Sequence, residues 1–177
     1  CIEAMMGDKR ALQAGTSHYL GQNFARAFDV KFQNETNQEE LVYATSWGVS
    51  TRLVGALIMV HGDDRGLRLP PEIAPIQVVI IPIIKNEDSF AEIQKFLQLF
   101  IDGLENNGIR YHLDNRAKVS PGFKFNEWEM KGVPIRLEVG LRDKEKNQIT
   151  IARRDTNEKL IKTYNETFDF LQQLLIE

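Results

Sequence analysis

Arg52 is the residue whose setting points most clearly to chemistry. It follows a Gly-Val-Ser-Thr segment and opens a predicted apolar helix over residues 51–61. A helix N-terminus presents free N–H groups and a partial positive charge, so an arginine placed there favours a phosphate or carboxylate site. Because arginine is common near helix starts, the spacing by itself supports such a site only weakly.

A second group of candidates is Lys124, Glu129, Arg136 and Arg142. The first two lie in residues 121–129, where aromatic and charged residues are interleaved. Glu129 falls on a short predicted helix, and Arg136 falls on the polar face of the strand that follows. An exposed arginine beside an exposed glutamate can be a surface ion pair worth ~0–1 kcal/mol. The same side chains can also read bases, because arginine donates to the acceptor edge of guanine and a carboxylate accepts from base amino groups. The residues leave both interpretations open.

Two other groups of polar residues are poorer candidates. Ser17 and His18 are neighbours on a predicted strand, so their side chains point to opposite faces and cannot form a Ser-His catalytic pair. His61, Asp63 and Asp64 offer one imidazole and two carboxylates, whereas a metal site needs three or four ligands with supporting contacts. Since the intervening glycine explains a turn at the helix end, we expect no metal site.

Composition and charge limit the class of protein. The chain has 177 residues, 42% hydrophobic and 27% charged, which is typical of a globular protein. No apolar run approaches the ~20 residues of a membrane span, and the single cysteine favours a reducing compartment. The net charge is −3, but residues 110–154 carry eleven basic and six acidic residues, an excess of +5. This stretch is either a phosphate-contacting surface or a solvated charged face.

The second half predicts a mixed α/β domain. Strands are expected over residues 76–84, 109–113, 133–139 and 148–153, and helices over residues 89–107 and 120–131. A last amphipathic helix is expected to carry Leu160, Phe168 and Leu171. The resulting order is β-α-β-α-β-β-α, with residues 141–147 as a loop.

The first half predicts antiparallel strands with two helices, and a proline-rich stretch over residues 69–75 separates it from the second half. The helix over residues 51–61 is apolar on nearly all sides, so we expect it to be buried. Some seventy residues of this kind cannot complete a core around such a helix. We therefore expect most of this domain to precede Cys1 in a longer protein, which agrees with the missing initiator methionine.

Several segments resemble class II aminoacyl-tRNA synthetases. In the first half these are QAGTSHYLGQNF from Gln13, SWGVSTR from Ser46 and MVHGDD from Met59. In the second half, PGFKF from Pro121 and WEMKGVPIRLEVG from Trp128 resemble the anticodon-binding domain of these enzymes. The resemblance is closest to prolyl-tRNA synthetases of the eukaryote/archaeal-like type and covers essentially the whole chain. It implies a remnant of the antiparallel-sheet catalytic domain at residues 1–72 and a mixed-sheet anticodon-binding domain at residues 73–177.

For the first part, the resemblance implies that Gln13, Thr16, Ser50 and Arg52 bind ATP, with Arg52 as the catalytic residue that holds the phosphates. It implies that His18 lines the pocket for proline. The implied reaction is attack of the proline carboxylate on the α-phosphorus of ATP, followed by transfer of the prolyl group to the 3′ end of the tRNA. Phosphoryl chemistry of this kind depends on positioned cations more than on a protein nucleophile.

For the second part, the resemblance implies that Glu129, Arg136 and Arg142 read the two guanines of the proline anticodon. Arg142 replaces a residue that is often lysine in the family, which keeps the charge and alters the geometry.

The resemblance also implies the partners, which are proline, the tRNA for proline, and ATP with Mg as substrate. It implies a cytoplasmic homodimer in the full-length enzyme and no membrane partner. The first two class II motifs are missing, as is the C-terminal extension in which alone zinc is expected. We therefore expect a fragment that is inactive by itself.

Two alternatives remain: a non-catalytic paralogue whose α/β module binds RNA or a protein, and a plain α/β domain. The residues implied to bind ATP disfavour the paralogue.

Overall fold

The computed structural model describes residues 1–84 and 87–176 and divides into two compact units, Cys1–Val60 and His61–Glu177. Within the described residues, none of the helices has both the length and the apolar character needed to cross a membrane.

The first unit is built on a small antiparallel sheet. Its elements are β1 (Ile2–Met5), β2 (Ala11–Gly21), α1 (Asn23–Phe28), β3 (Lys31–Gln33), β4 (Glu39–Leu41), β5 (Ala44–Gly48) and α2 (Arg52–His61). Strand β2 is central, with β1 and β5 antiparallel on either side, while β3 and β4 form a separate hairpin. Strand β1 was not predicted from the sequence. The register pairs Thr16 with Gly48 and His18 with Ser46.

Helix α2 has the predicted position but not the predicted burial. No residue of α2 is buried, and Val54, Ile58 and Met59 are more than half exposed. The expectation of a helix covered on all sides is therefore wrong for this structure. The reason is that the first unit, described over all of residues 1–60, has only two buried residues, Gly15 and Ala25, and no layer that packs over the outer faces of α2.

The second unit is a mixed α/β domain, as predicted. Its elements are β6 (Gly62–Asp63), β7 (Gly66–Leu67), β8 (Val78–Ile83), α3 (Glu87–Asn106), β9 (Tyr111–Leu113), α4 (Pro121–Met130), β10 (Ile135–Gly140), α5 (Leu141–Glu145), β11 (Gln148–Arg153), β12 (Lys159–Thr163) and α6 (Tyr164–Ile176). The five-stranded sheet has the order β12-β11-β10-β8-β9. Strands β9, β8 and β10 run parallel, and β10, β11 and β12 alternate antiparallel.

The sheet separates two hydrophobic clusters because successive strand residues point to opposite faces. On one face, Ile80 and Leu137 pack with Phe100 of α3 and Leu171 of α6, all fully buried. On the other face, Val79, Ile81 and Val133 pack with Trp128 of α4. The polar residues of β10, Arg136 and Glu138, alternate with its core residues and so share the face that carries α4.

The elements of the second unit differ from the predicted ones at three places. Leu160 lies in strand β12 rather than in the last helix, which begins at Tyr164. The predicted loop over residues 141–147 contains the short helix α5. The backbone of α3 begins at Glu87, two residues before the predicted start at Ser89, whose side chain lies outside the described part of the chain. The start of α4 is confirmed, since the Ser120 hydroxyl accepts the Phe123 N–H at 3.3 Å.

Residues 61–72, which the sequence assigns to the first domain, pack with the second unit. Arg154 donates to the two carboxylate oxygens of Asp63 at 2.9 and 2.6 Å, and the Leu69 N–H donates to the Gly132 carbonyl at 3.3 Å. The division of the chain at residues 72 and 73 into a catalytic part and an anticodon-binding part stays a prediction.

Candidate functional site

The first unit has a shallow pocket where α2 begins beside β2. Its volume is about 250 Å³. Its lining is Gln13, Ala14, Gly15, Thr16, Gly48, Val49, Ser50 and Arg52. The structure therefore brings together all four residues predicted to bind ATP, although they come from two separate segments.

Arg52 joins those two segments. It is the first residue of α2, as predicted, and its N–H donates to the Ser50 hydroxyl at 3.3 Å. Its guanidinium Nη1 donates to the side-chain oxygen of Gln13 at 3.0 Å and to the Gln13 carbonyl at 3.3 Å. The arginine is exposed, so its remaining N–H groups are available to an anionic ligand.

His18 lies beyond the lining of this pocket. It is exposed on β2, two residues after Thr16, and pairs with Ser46 of β5. Residues two apart on a strand share a face at ~6.6 Å spacing, so His18 and Thr16 belong to the same side of the sheet. His18 is placed next to the pocket on that side, and its role in binding proline stays a prediction.

The second unit has a smaller pocket of about 110 Å³ on the sheet face that carries α4. Its lining is Arg65, Val79, Trp128, Glu129, Val133, Arg136, Ala152, Arg153, Arg154, Asn157 and Lys159. Five of these residues are basic and one is acidic. We call this pocket the basic pocket.

Arg136 is held at the basic pocket by a carboxylate and an aromatic ring. Its Nε and Nη2 donate to the same oxygen of Glu138 at 3.1 and 3.0 Å. Its guanidinium carbon lies 4.3 Å from the ring centre of Phe125 on α4, a cation–π arrangement. Lys159 of β12 donates from Nζ to Oε2 of Glu138 at 3.1 Å, and the same nitrogen lies 2.9 Å from Oε1 as an ion pair.

Glu129 is held by an arginine from the hairpin of β6 and β7. Arg65 Nη1 donates to Glu129 Oε1 at 3.1 Å and to the side-chain oxygen of Asn157 at 3.0 Å. The buried Arg154 binds the Glu129 carbonyl through Nε at 3.1 Å and fixes the hairpin through Asp63. The Arg154 hydrogen bond, together with the Arg65 backbone N–H, holds the pKa of Asp63 well below its usual range.

The structure therefore brings Glu129 and Arg136 to one pocket but does not bring Arg142 there. Arg142 is exposed on α5, beyond the C-terminal end of β10, and it is not part of the pocket lining. Arg136 is the second residue of β10, so the two arginines are six positions apart in the sequence. If these residues act on the same RNA, Arg142 must contact a part of it outside the basic pocket.

Lys124, which the sequence left open, has a structural position. Its side chain is 2% exposed, and its Nζ donates to the Asp114 carbonyl at 2.9 Å and lies 3.5 Å from Asp114 Oδ1. The same carboxylate accepts from Arg116 and, at 2.8 Å, from the indole N–H of Trp128. Burial by itself would raise the pKa of Asp114, but the hydrogen bonds from Arg116 and Trp128 hold it well below its usual range.

Sequence reasoning missed Arg65, Arg154 and Lys159 as residues of the basic pocket. Arg65 comes from a segment 64 residues before its partner Glu129, and no local pattern marks it. Arg154 and Lys159 belong to the basic stretch or follow it directly, so only the charge count pointed toward them. Among the side chains that the structure describes, those of residues 1–84 and 90–176, no group of three or more His, Cys, Asp or Glu is arranged to hold a metal ion.

The second unit is an α/β domain of the anticodon-binding class. Residues 77–174, more than half of the chain, match the family model described as the anticodon binding domain, and the chain belongs to this family. Over its whole length, it is similar to proteins named proline–tRNA ligase. It is 53% identical to that of Natranaerobius thermophilus over 99% of the chain, 52% identical to that of Flavobacterium psychrophilum over 100%, and 55% identical to that of Symbiobacterium thermophilum over 99%. The chain spans 36% of the length of each of these relatives.

Proposed function

We propose that the chain is the part of a proline–tRNA ligase that joins one side of the ATP site to the anticodon-binding domain. In this function the proline carboxylate attacks the α-phosphorus of ATP, pyrophosphate leaves, and the prolyl group is then transferred to the 3′ end of the tRNA with release of AMP. The observation that carries the proposal is the pocket in which Arg52, Gln13, Thr16 and Ser50 meet.

Within that pocket, Arg52 is proposed to bind the phosphates of ATP. The hydrogen bonds from Nη1 to Gln13 fix the guanidinium before any ligand arrives, so little conformational entropy is lost on binding. A fixed cation stabilises negative charge that develops on the phosphate oxygens as pyrophosphate leaves. The lining contains no carboxylate, so Mg²⁺ is proposed to enter with ATP as part of the substrate.

In the second unit, Glu129 and Arg136 are proposed to read bases of the proline anticodon at the basic pocket. Arginine donates to the O6 and N7 acceptors of guanine, and a carboxylate accepts from base amino groups. Sequence-specific recognition of RNA usually targets unstacked loop bases, which an anticodon loop supplies. Arg142 is proposed to contribute a contact from α5, outside the basic pocket.

The remaining parts of the proposal concern the full-length protein. It is proposed to be a homodimer in the cytoplasm, of the eukaryote/archaeal-like type, with His18 in the proline pocket. The division into residues 1–72 and 73–177 follows the same proposal. Zinc is proposed only for a C-terminal extension.

The test uses the full-length enzyme that contains this chain and measures proline-dependent exchange of pyrophosphate into ATP. Arg52→Ala is expected to lower the exchange rate about 100-fold or more, the usual cost of removing a charge-stabilising group from an active site. The matched control is Arg10→Ala, which removes an exposed arginine of the same unit whose guanidinium lies 3.8 Å from the carboxylate of Asp8. Exchange by Arg52→Ala within a few-fold of the control would contradict the assignment. Absence of exchange in the unaltered full-length enzyme would instead favour the non-catalytic paralogue.

A further inference from the structure

Behind the basic pocket lies the carboxylate of Glu138, which is not part of the lining but binds two residues that are, Arg136 and Lys159. We propose that Glu138 is a positioning residue for base selection: it occupies the Nε/Nη2 edge of Arg136 and leaves the Nη1/Nη2 edge for guanine. This inference rests on the proposed function, in which Arg136 reads an anticodon guanine. It adds a residue that neither the sequence nor the comparisons assign to the site.

The first support is the geometry between the two side chains. Arg136 and Glu138 are two residues apart on β10, so they share the sheet face that carries α4. One oxygen of Glu138 accepts from both Nε and Nη2 of Arg136, at 3.1 and 3.0 Å. Their side chains are only 15% and 8% exposed. An ion pair this well shielded from water is held far more firmly than a surface pair.

The second support is that Glu138 is itself fixed. Lys159 donates to its Oε2 at 3.1 Å and forms an ion pair with its Oε1 at 2.9 Å. Lys159 also lies 5.4 Å from the ring centre of Phe125. The same ring packs against the guanidinium of Arg136 at 4.3 Å. Glu138 and Phe125 together form a cradle that restricts both the position and the plane of the guanidinium.

The consequence follows from the shape of the guanidinium. It has five N–H donors in a plane, and Nε with one N–H of Nη2 forms one edge, while Nη1 with the other N–H of Nη2 forms a second edge. Glu138 takes the first edge, and no group in the described part of the chain accepts from Nη1. The second edge matches the O6 and N7 acceptors of guanine, whereas adenine places an amino donor where guanine has O6.

A freely rotating arginine could offer either edge to any acceptor, including a phosphate oxygen. An arginine with one edge occupied and its plane fixed offers a single pair of donors in one direction. Glu138 is therefore expected to increase the selectivity for guanine while reducing general attraction for RNA, because it adds a negative charge at the pocket. A purely structural carboxylate would instead affect all RNA binding alike.

The test measures binding of the 177-residue chain to two RNA stem-loops at fixed salt. One carries the proline anticodon, and the other has its two guanines changed to adenine. The unaltered chain is expected to favour the first by about tenfold or more. Glu138→Leu, which keeps the side-chain volume and removes both acceptors, is expected to lower that preference to about threefold or less without weakening binding of the adenine loop. Glu138→Gln is expected to retain part of the preference, because its amide oxygen still accepts from Arg136.

The matched control is Glu92→Leu, the same substitution at an exposed position of α3, on the opposite side of the sheet. It removes the same charge, so it should tighten binding of both loops equally and leave the preference intact. A preference that survives Glu138→Leu overturns this inference but leaves the proposed base reading in place. An unaltered chain that binds both loops equally overturns the base reading, and this inference falls with it.

A second measurement does not depend on whether Glu138→Leu folds. In the unaltered chain labelled with ¹⁵N, the Nε–H of Arg136 is expected to keep its NMR position during titration with the anticodon loop, because Glu138 holds it throughout. The Nη protons are expected to become protected from exchange with water. A large shift of the Nε–H signal on binding would mean that RNA displaces Glu138, and the inference would be wrong.

Discussion

Asp114 offers the sharpest test of how the basic pocket is supported. This carboxylate follows β9 and is fully buried. It accepts from the Trp128 indole at 2.8 Å and from Arg116 through Nε at 2.9 Å and Nη2 at 2.6 Å. Lys124, also buried, lies 3.5 Å from it. Because Lys124 and Trp128 both belong to α4, Asp114 holds the helix that carries Phe125 and Glu129.

Asp114→Asn keeps the shape of the side chain but replaces one acceptor with an amide donor. That amide would face the donors of Arg116 or Trp128, and the ammonium of Lys124 would lose its buried countercharge. Removing one partner of a buried pair costs ~3–5 kcal/mol of unfolding free energy. With a urea m-value of ~2 kcal/mol/M, the unfolding midpoint should fall by about 2 M.

The assay is urea unfolding followed by fluorescence of Trp128, in a Trp47→Phe background that leaves Trp128 as the single tryptophan. Trp128 is 7% exposed, whereas Trp47 is 74% exposed in the other unit, so the signal reports the second unit. The matched control is Asp155→Asn, which breaks a pair with Arg153 at 2.7 Å where the carboxylate is 50% exposed. That change should cost ~0–1 kcal/mol.

The pH dependence has a definite sign. The pKa of Asp114 is lower in the folded chain than its ordinary value of ~3.9, which applies to the unfolded chain. Its contribution to stability is therefore complete above about pH 5 and is lost as the pH falls toward the folded pKa. The difference between the unaltered chain and Asp114→Asn should be constant from pH 5 to about pH 8 and shrink below about pH 4. A loss of less than ~1 kcal/mol at pH 7, or a difference that does not shrink in acid, would refute this reasoning.

Three further predictions concern single residues. In the full-length enzyme, His18→Ala should raise KM for proline several-fold more than KM for ATP in pyrophosphate exchange; an equal rise in both would point to a folding defect. In the 177-residue chain, Arg136→Ala should remove the preference for the guanine-containing loop, a loss of ~1–3 kcal/mol of binding free energy per base read. Binding of the adenine loop should change little. A retained preference would exclude Arg136 as a base reader. Gly132→Ala should destabilise the second unit by at least ~1 kcal/mol more than Gly108→Ala. Both glycines have positive φ, +75° and +65°, but only at Gly132 would a Cβ meet Leu67, at 2.6 Å from its Cβ. Equal urea midpoints would show that this close approach costs nothing.

The core of the second unit was predictable from hydrophobic pattern. The apolar run of β8 and the alternating pattern of β10 each lie within a few consecutive residues, and each was interpreted as a strand. The N-cap of α4 was equally local, because Ser120 followed by Pro121 marks a helix start. The mixed α/β class followed from these elements alone.

Strand β12 and the burial of α2 were not predictable in the same way. Leu160 and Ile161 lie between Lys159 and Lys162 in a short segment that fits an edge strand as well as the first turn of an amphipathic helix. Pairing with β11 decided for the strand, and it depends on partners seven to fifteen positions away in the sequence. The helical structure of α2 was predicted correctly from its sequence. Its burial was not, because burial depends on which other elements pack against the helix, and the sequence of the helix does not determine that.

In the candidate sites too, the sequence indicated the residues but not their long-range partners. Arg52 and Gln13 were both singled out, yet their hydrogen bond crosses 39 residues and was not foreseen. Asp63 pairs with Arg154, 91 positions further along the chain, and the sequence did not reveal this ion pair. Residue type suggested chemistry in each case, but only the fold determined which partner each side chain has.

The basic pocket also changes how the charge excess of residues 110–154 should be understood. A count of +5 suggests a surface that attracts any phosphate. In the folded chain, however, Arg136 of this stretch is bound to Glu138 and Arg154 to Asp63. The pocket cations from outside the stretch, Arg65 and Lys159, are likewise bound to Glu129 and Glu138. The carboxylates cancel much of the positive field at the pocket, so it is poorly suited to general electrostatic attraction. They also fix the donors in direction, and directed donors discriminate between bases, which an unpaired cluster of flexible cations does not.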